Sequence, residues 1–263
     1  MPFNLEKYGK TLAKIEGGKF KNKIVSITDK DVPEVTKSLT HIHIPDEGKF
    51  QQIPDPEIER QILYIFGASG SGKSTYARKF IEQWLKMNKG GDIYLFSALK
   101  DDDSLDELKP NLKRIVIDEK LINDPLDPEH FKDCMVIFDD IDVIKEKDLK
   151  EAVYTILNGI LETGRHFNTW CISTNHLPSN GADTRRILNE CHSITYFPHS
   201  GAGAQQRRFL ENYAGLDYKE IKKIKKLKTR WATIFKNYPM CVMTEKDLFT
   251  FDEDEDIPEA GTI

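Results

Sequence analysis

Eight consecutive residues, Gly67-Ala68-Ser69-Gly70-Ser71-Gly72-Lys73-Ser74, have the spacing G-x-x-x-x-G-K-[ST]. Glycines at these places let successive backbone N–H groups curl around the β- and γ-phosphates of a nucleotide, and the N-terminus of a following helix adds a fixed partial positive charge. Lys73 would neutralise phosphate charge and the Ser74 hydroxyl would ligate Mg²⁺, with Gly67 to Thr75 as the nucleotide-binding set. The context is the required one. The apolar run Ile62-Leu63-Tyr64-Ile65-Phe66 reads as a strand entering the loop, and Tyr76-Ala77-Arg78-Lys79-Phe80-Ile81 as a helix leaving it.

A phosphate loop alone does not separate kinases, GTPases and mechanical ATPases, so a second carboxylate motif is needed. Met135-Val136-Ile137-Phe138-Asp139-Asp140 supplies it, 66 residues beyond Lys73. A buried strand ending in Asp139 places one carboxylate beside a bound Mg²⁺. By strand alternation the next acid points the opposite way, toward the γ-phosphate and its attacking water. Asp139 is therefore the expected metal-side acid and Asp140 the expected base.

Guanine-specific enzymes carry a late Asn/Thr-Lys-x-Asp base reader, and nothing after Asp139 offers one. Ser173-Thr174-Asn175-His176 instead ends a short apolar strand, Thr169-Trp170-Cys171-Ile172, and ligands sit at the carboxyl ends of strands in open α/β sheets. Asn175 or Thr174 could hydrogen-bond the attacking water or the γ-phosphate as a sensor. A plain turn before Pro178 is the other reading of that string.

The elements that must position these residues alternate. Strands are expected near Lys23 to Ile27, Gln61 to Phe66, Asp92 to Phe96, Arg114 to Ile117, Cys134 to Phe138, Thr169 to Ser173, Ser193 to Phe197 and Trp231 to Phe235. Helices are expected near Ser74 to Met87, Asp102 to Leu108, Lys147 to Glu162, Thr184 to Asn189, Gln205 to Tyr213 and Tyr218 to Lys226. Such alternation means a three-layer α/β fold, a mostly parallel sheet with helices on both faces. At least one strand lies between the phosphate loop and Asp139 in sequence, so the acidic strand need not neighbour the loop strand, as in RecA/ASCE-like P-loop NTPases. Residues 1–58, with Pro33, Pro45, Pro54 and Pro56, read as an N-terminal extension or small β element, 59–246 as the ATPase domain, and 247–263 as a disordered acidic tail.

A 263-residue chain that is 39% hydrophobic can bury one sizeable core. It contains no run of eighteen apolar residues and no signal-peptide pattern at its N-terminus, which leads to the expectation of a soluble, intracellular protein with no membrane span. Cys134, Cys171, Cys191 and Cys241 show no C-x-x-C spacing and read as small hydrophobes. Neither Cys191-His192 nor His41 with His43 completes a four-ligand metal set.

The net charge of −5 is unevenly placed. Seven acids and no bases lie between Asp247 and Ile263, and without them 38 basic residues face 36 acidic ones. Seven of the twelve residues from Lys219 to Arg230 are basic, while Ile221, Ile224 and Leu227 recur every third position. That is a helix with one apolar edge and a dense cationic surface, able to follow a phosphate backbone or to serve as an ordinary solvated face.

At this point the chain resembles the FtsK-HerA-like genome-packaging ATPases of large DNA viruses and virophages. The resemblance spans about residues 50 to 245 and rests on ILYIFGASGSGKST, MVIFDDID, GRHFNTWCISTNHLP, TRRILNECHSI and GLDYKEIKKIKKLKTRWATIFKNYP. It implies a homo-oligomeric ring that pumps double-stranded DNA into a preformed capsid, with a capsid or portal-vertex partner, in the host cytoplasm or associated with the virion. By position, Gly67 to Ser74 would be Walker A, Asp139 and Asp140 Walker B, and Asn175 the polar sensor. Two departures stand out: Asp140 is one methylene shorter than the Glu common at that place, and Asn175 stands where Gln is frequent. Arg165 and Arg185 or Arg186 are the arginine-finger candidates, with surface salt bridges as the alternative role. A helicase or replication-initiator ATPase of the same fold, and a small-molecule P-loop kinase, are the competing readings.

Overall fold

The computed structural model describes residues 3–28, 39–251 and 261–262. The chain divides into two compact units, one running from Ile58 to His192 and the other joining Met1–Glu57 to Ser193–Ile263.

The Ile58–His192 unit is built on five parallel strands: β1 (Ile62–Phe66), β2 (Ile93–Ser97), β3 (Leu112–Ile115), β4 (Met135–Asp139) and β5 (Trp170–Asn175). Their spatial order is β1-β5-β4-β2-β3. Thus β5 lies between the loop strand and the acidic strand, the separation expected of a RecA/ASCE-like fold. In register, Ile65, Thr174, Asp139 and Ser97 stand across from one another. Side chains in register across neighbouring strands share one face. All residues of β1, β4 and β5 are buried, as continuous apolar runs in a sheet covered on both sides must be.

Helix α1 (Lys73–Met87) follows the loop and buries Tyr76, Ala77, Phe80, Ile81 and Trp84, the i, i+4, i+8 spacing of one helical stripe. Phe80 meets Trp170 of β5, with ring centroids 6.4 Å apart. Helix α2 (Lys147–Thr163) buries Val153, Ile156, Leu157, Ile160 and Leu161 and packs against α3 (Ala182–Glu190). The ends of this unit are tied together. His192 donates its N–H to Ile62 O at 2.8 Å, and Ile62 N–H returns a bond to His192 Nδ1 at 3.0 Å.

In the second unit the antiparallel strands Phe3–Asn4, Ile24–Ile27, Lys10–Glu16 and Lys49–Gln52 form one sheet. Ser193–Tyr196, Ala232–Phe235, Cys241–Thr244, Asp247–Phe249 and His41–His43 pair antiparallel in that order. One apolar cluster joins the two chain segments, including Leu12, Ile15, Val25, Ile42, Phe235, Met243 and Leu248. Helices α4 (Gly203–Tyr213) and α5 (Tyr218–Lys226) complete it.

Two features depart from the sequence expectation. Residues 59–246, expected as one domain, divide at Ser193, because the strands that follow His192 share their core with the N-terminal strands. The stretch expected as an acidic tail begins with a strand, because Asp247 Oδ1 accepts from His41 Nε2 at 3.1 Å and His43 Nδ1 at 2.7 Å, and Leu248 is fully buried. Burial alone would raise the Asp247 pKa, but the two imidazoles hold it below the usual value. The acids from Asp252 to Asp256 lie outside the described residues. His41 and His43 both engage Asp247, and all four cysteines are buried and in no disulfide.

Candidate functional site

The phosphate loop joins β1 to α1. Gly67 N–H donates to Asn175 O at 3.1 Å, so the loop's first residue is anchored by the end of β5. Gly70 and Gly72 hold φ of 73° and 110°, a backbone region open to glycine and strained for other residues. Gly72 is also the residue that starts α1. A Cβ at Gly70 would meet nothing within 4 Å. The Ser71 hydroxyl is buried with no partner. An open cradle with an unsatisfied buried donor fits an incoming phosphate.

Lys73 is 5% exposed, and three acceptors surround its ammonium: Gly67 O at 3.1 Å, Asp140 Oδ1 at 3.4 Å and His176 Nδ1 at 3.5 Å. Asp139 is 1% exposed. The Thr174 hydroxyl donates to Asp139 Oδ1 at 2.7 Å, and the Ser97 hydroxyl donates to Asp139 Oδ2 at 3.3 Å. Burial pushes the Asp139 pKa up to about 6; the Thr174 bond opposes this, and the neighbouring Asp140 charge adds to it. A buried carboxylate held charged only at a cost, with a serine hydroxyl at the head of α1, is a hard-oxygen donor set suited to Mg²⁺ bound jointly with phosphate.

That raised pKa has a measurable effect on stability. The folded protein binds a proton at Asp139 as pH falls through about 6, whereas the unfolded chain does so near 3.8. Above pH 6 this carboxylate therefore lowers stability, and the penalty fades as pH falls toward 4. With EDTA present, Asp139→Asn is expected to melt a few degrees higher than the wild type at pH 7.5, with the gap closing below pH 6. Thermal melting across pH 5 to 8 checks this, and an Asn variant that melts lower at pH 7.5 would contradict it.

Asp140 does not point away from Asp139 as strand alternation suggests. It has left the strand, with φ 48° and ψ 38°, and its N–H donates to Thr174 O at 3.0 Å. The turn swings its carboxylate back, so the Thr174 hydroxyl lies 3.3 Å from Asp140 Oδ1 while bonding Asp139. Such a conformation is uncommon for a residue with a Cβ and costs on the order of 1 kcal/mol or more, a strain concentrated at functional positions.

The residues expected by position gather only in part. Lys73, Asp139 and Asp140 converge with Thr174. Asn175, placed as the sensor, sits on the other face of β5: its amide donates to the Tyr64 hydroxyl at 3.2 Å, and its Oδ1 is buried without a partner. Thr174 and His176, on either side of it, border the two acids instead. His176 Nε2 lies 3.0 Å from Asp140 Oδ2. His176 was not singled out from sequence, and only the parity it shares with Thr174 along the strand could have flagged it. The Arg165 Nε donates to Glu59 Oε2 at 2.8 Å, its side chain 72% exposed, and Arg186 pairs with Glu162 at 2.7 Å. Arg185 and Arg186 line a cleft of about 450 Å³ between α2 and α3 with Asn158, Glu162 and Asn189.

A parallel sheet with β5 inserted between the loop strand and the acidic strand, a glycine loop opening a helix, and paired acids beside the loop lysine define a three-layer α/β P-loop NTPase. No family model matches the chain. The "Uncharacterized protein V3" of Sputnik virophage is 44% identical over 253 residues, covering 92% of this chain and 96% of V3. The chain belongs to the family of this virophage protein, in keeping with its motif resemblance to the viral FtsK-HerA-like ATPases. Among solved structures, the pCW3 conjugation coupling protein TcpA, in its monomer form with ATPγS, shares the fold. Its TM-score is 0.51 at 13% identity, over 92% of this chain and 78% of TcpA. The genome packaging NTPase B204 of Sulfolobus turreted icosahedral virus 2, solved with sulfate, aligns with a TM-score of 0.47 at 18% identity, over 72% of this chain and 97% of B204.

Proposed function

We propose that this chain is a Mg²⁺-dependent ATPase that drives double-stranded DNA into a viral capsid. The observation that carries the hydrolytic part is the convergence at the glycine loop of Asp139 and Asp140 on the Thr174 hydroxyl, with Lys73 Nζ 3.4 Å from Asp140 Oδ1. The loop N–H groups and Lys73 bind the phosphates, Ser74 and Asp139 hold Mg²⁺, and Asp140 takes the proton of the attacking water. A Mg²⁺ ion held by Ser74 and Asp139 would supply neutralisation of the charge that builds on the phosphate oxygens. The virophage relative, matched almost end to end, supports the viral setting. The chain works as a homo-oligomeric ring on a capsid or portal-vertex protein, in the host cytoplasm or associated with the virion. Arg165 or Arg186 exchanges its surface ion pair for the γ-phosphate of a neighbouring subunit. Among the described residues no helix is long and apolar enough to cross a membrane.

The DNA-facing surface is α5 and the residues after it. Ile221 and Ile224 turn inward, leaving Lys219, Lys222, Lys225, Lys226, Lys228 and Arg230 exposed. An Asp217–Glu220 capping box fixes the start of the helix. Arg207, 5.9 Å over the Tyr218 ring, anchors α4 beside it. Duplex binding is expected to be sequence-independent, with log affinity falling against log salt by about 0.9 per neutralised phosphate. Replacing Lys222, Lys225 and Lys226 with Gln should flatten that slope by up to about three units and remove DNA stimulation while sparing basal hydrolysis. ATP hydrolysis measured with and without linear duplex DNA tests the reading directly. Indifference to DNA together with phosphorylation of a small acceptor would replace the motor with a kinase, and strand separation on forked DNA would replace it with a helicase.

A further inference from the structure

His176 sits at the carboxyl end of β5 and reaches two parts of the site at once. Its Nε2 is 3.0 Å from Asp140 Oδ2 and its Nδ1 is 3.5 Å from Lys73 Nζ. The chemistry of the partners fixes its tautomer. An ammonium has hydrogens and no lone pair, so Nδ1 must accept, and a neutral imidazole that accepts at Nδ1 carries its proton on Nε2. That proton faces the Asp140 carboxylate. The result is a directed chain from Lys73 through the ring to the acid. The backbone is fixed as well, since His176 N–H donates to Asp142 Oδ2 at 3.2 Å.

Lys73 has three hydrogens, and Gly67 O, Asp140 and His176 are the three acceptors around it. A phosphate oxygen that takes one of those hydrogens must displace one of these acceptors. Where Asp140 is the acceptor displaced, it loses its hold on Lys73 but not its bond to the ring.

We propose that His176 is a positioning residue that couples the phosphate-binding lysine to the catalytic acid: when phosphate draws Lys73 away, the ring keeps Asp140 aimed at the attacking water. This rests on the ATPase reading of Lys73 and Asp140. Once Lys73 has moved, Nδ1 offers its lone pair toward the place the ammonium occupied, where a water molecule can donate to it. Because its work is on orientation, the residue bears on turnover more than on nucleotide binding; a 1 Å misplacement of a reacting group can cost about 10²-fold in rate.

The test compares His176→Ala, His176→Gln and His176→Asn with the wild type and Lys73→Ala, measuring kcat and the affinity for a non-hydrolysable ATP analogue with Mg²⁺. His176→Ala should lose about 10- to 100-fold in kcat with affinity within about threefold of the wild type. Gln, whose amide N–H reaches the Nε2 position, should recover most of the loss; the shorter Asn should not. A kcat for His176→Ala within threefold of the wild type, or equal losses in kcat and affinity with Gln no better than Ala, would overturn the proposal. A separate measurement needs no turnover. The ¹⁵N shifts of the His176 ring, assigned against His176→Gln, should report a neutral Nε2–H form whose Nδ1 signal moves when the analogue is added. An Nδ1–H ring would sink the proposal by itself. Lys73→Ala that hydrolyses ATP normally would instead bring down the ATPase reading of the site, whereas an inactive Lys73→Ala beside an unimpaired His176→Ala removes only the role given to His176.

Discussion

Lys73→Ala is expected to abolish measurable ATP hydrolysis while leaving the fold intact. The ammonium is buried, placed by α1's first turn, and bonded to the carbonyl of the loop's own first glycine. It is thus fixed in advance where phosphate charge develops, and such preorganised groups are typically worth about 10²- to 10³-fold in rate each. Here the loss should exceed that range, because the lysine also serves nucleotide binding. The substitution removes a buried cation beside Asp140, but His176 and Thr174 still contact that carboxylate, so no acid is left without a partner. Circular dichroism and thermal melting should match the wild type closely. Turnover at the wild-type rate would remove the phosphate-loop assignment.

Asp140→Asn should separate binding from chemistry. ATP and Mg²⁺ should still bind while hydrolysis falls by about 10²-fold or more, because the amide cannot take a proton from water. The backbone makes Asn the informative choice. With φ at 48°, position 140 needs a residue that tolerates the left-handed region, and Asn does so as readily as Asp. A fall in rate for this variant is therefore not a folding effect. Binding of a fluorescent ATP analogue beside steady-state hydrolysis reads both quantities. Near wild-type hydrolysis would move the base elsewhere. Asp142 is the next acid, although its Oδ2 already accepts from His176 N–H.

The loop and the acidic strand were legible because each is a local signal: glycine spacing before a helix, and an apolar run ending in acids. The helices from α1 to α5 were legible for the same reason, since their stripes recur within a few turns. Less was available about how the site residues face. Alternation along β4 predicts that Asp140 points away from Asp139, but the chain leaves the strand at that residue, and nothing local announces a positive φ at an aspartate. The end of β5 offers Asn175 or Thr174 as the sensor and motif position alone favours Asn175; the register of β5 against β4 turns Thr174 toward Asp139, and register depends on pairing partners far apart in sequence. The strands before Gln52 are mostly not announced by the sequence: four are short strands that pair among themselves across intervening chain, the fifth, His41–His43, pairs with Asp247–Phe249, and part of their core comes from beyond residue 230. The same long-range pairing hid Asp247, which in sequence begins an acidic run and in the fold is held by His41 and His43.

The division of the chain bears on the order in which it folds as it is made. The Ile58–His192 unit draws all its own strands from one continuous stretch, and His192 closes onto Ile62, so all of them are available once that stretch has left the ribosome. The other unit cannot be. Its N-terminal strands are synthesised first but share a core with Phe235, Met243 and Leu248, which come last. Non-local pairing of this kind is slow to close and leaves unpaired strand edges exposed in the meantime. A nascent chain halted after His192 should already protect the phosphate loop from protease while Leu12 and Ile15 remain open to it, and only release of the full chain should seal the N-terminal strands.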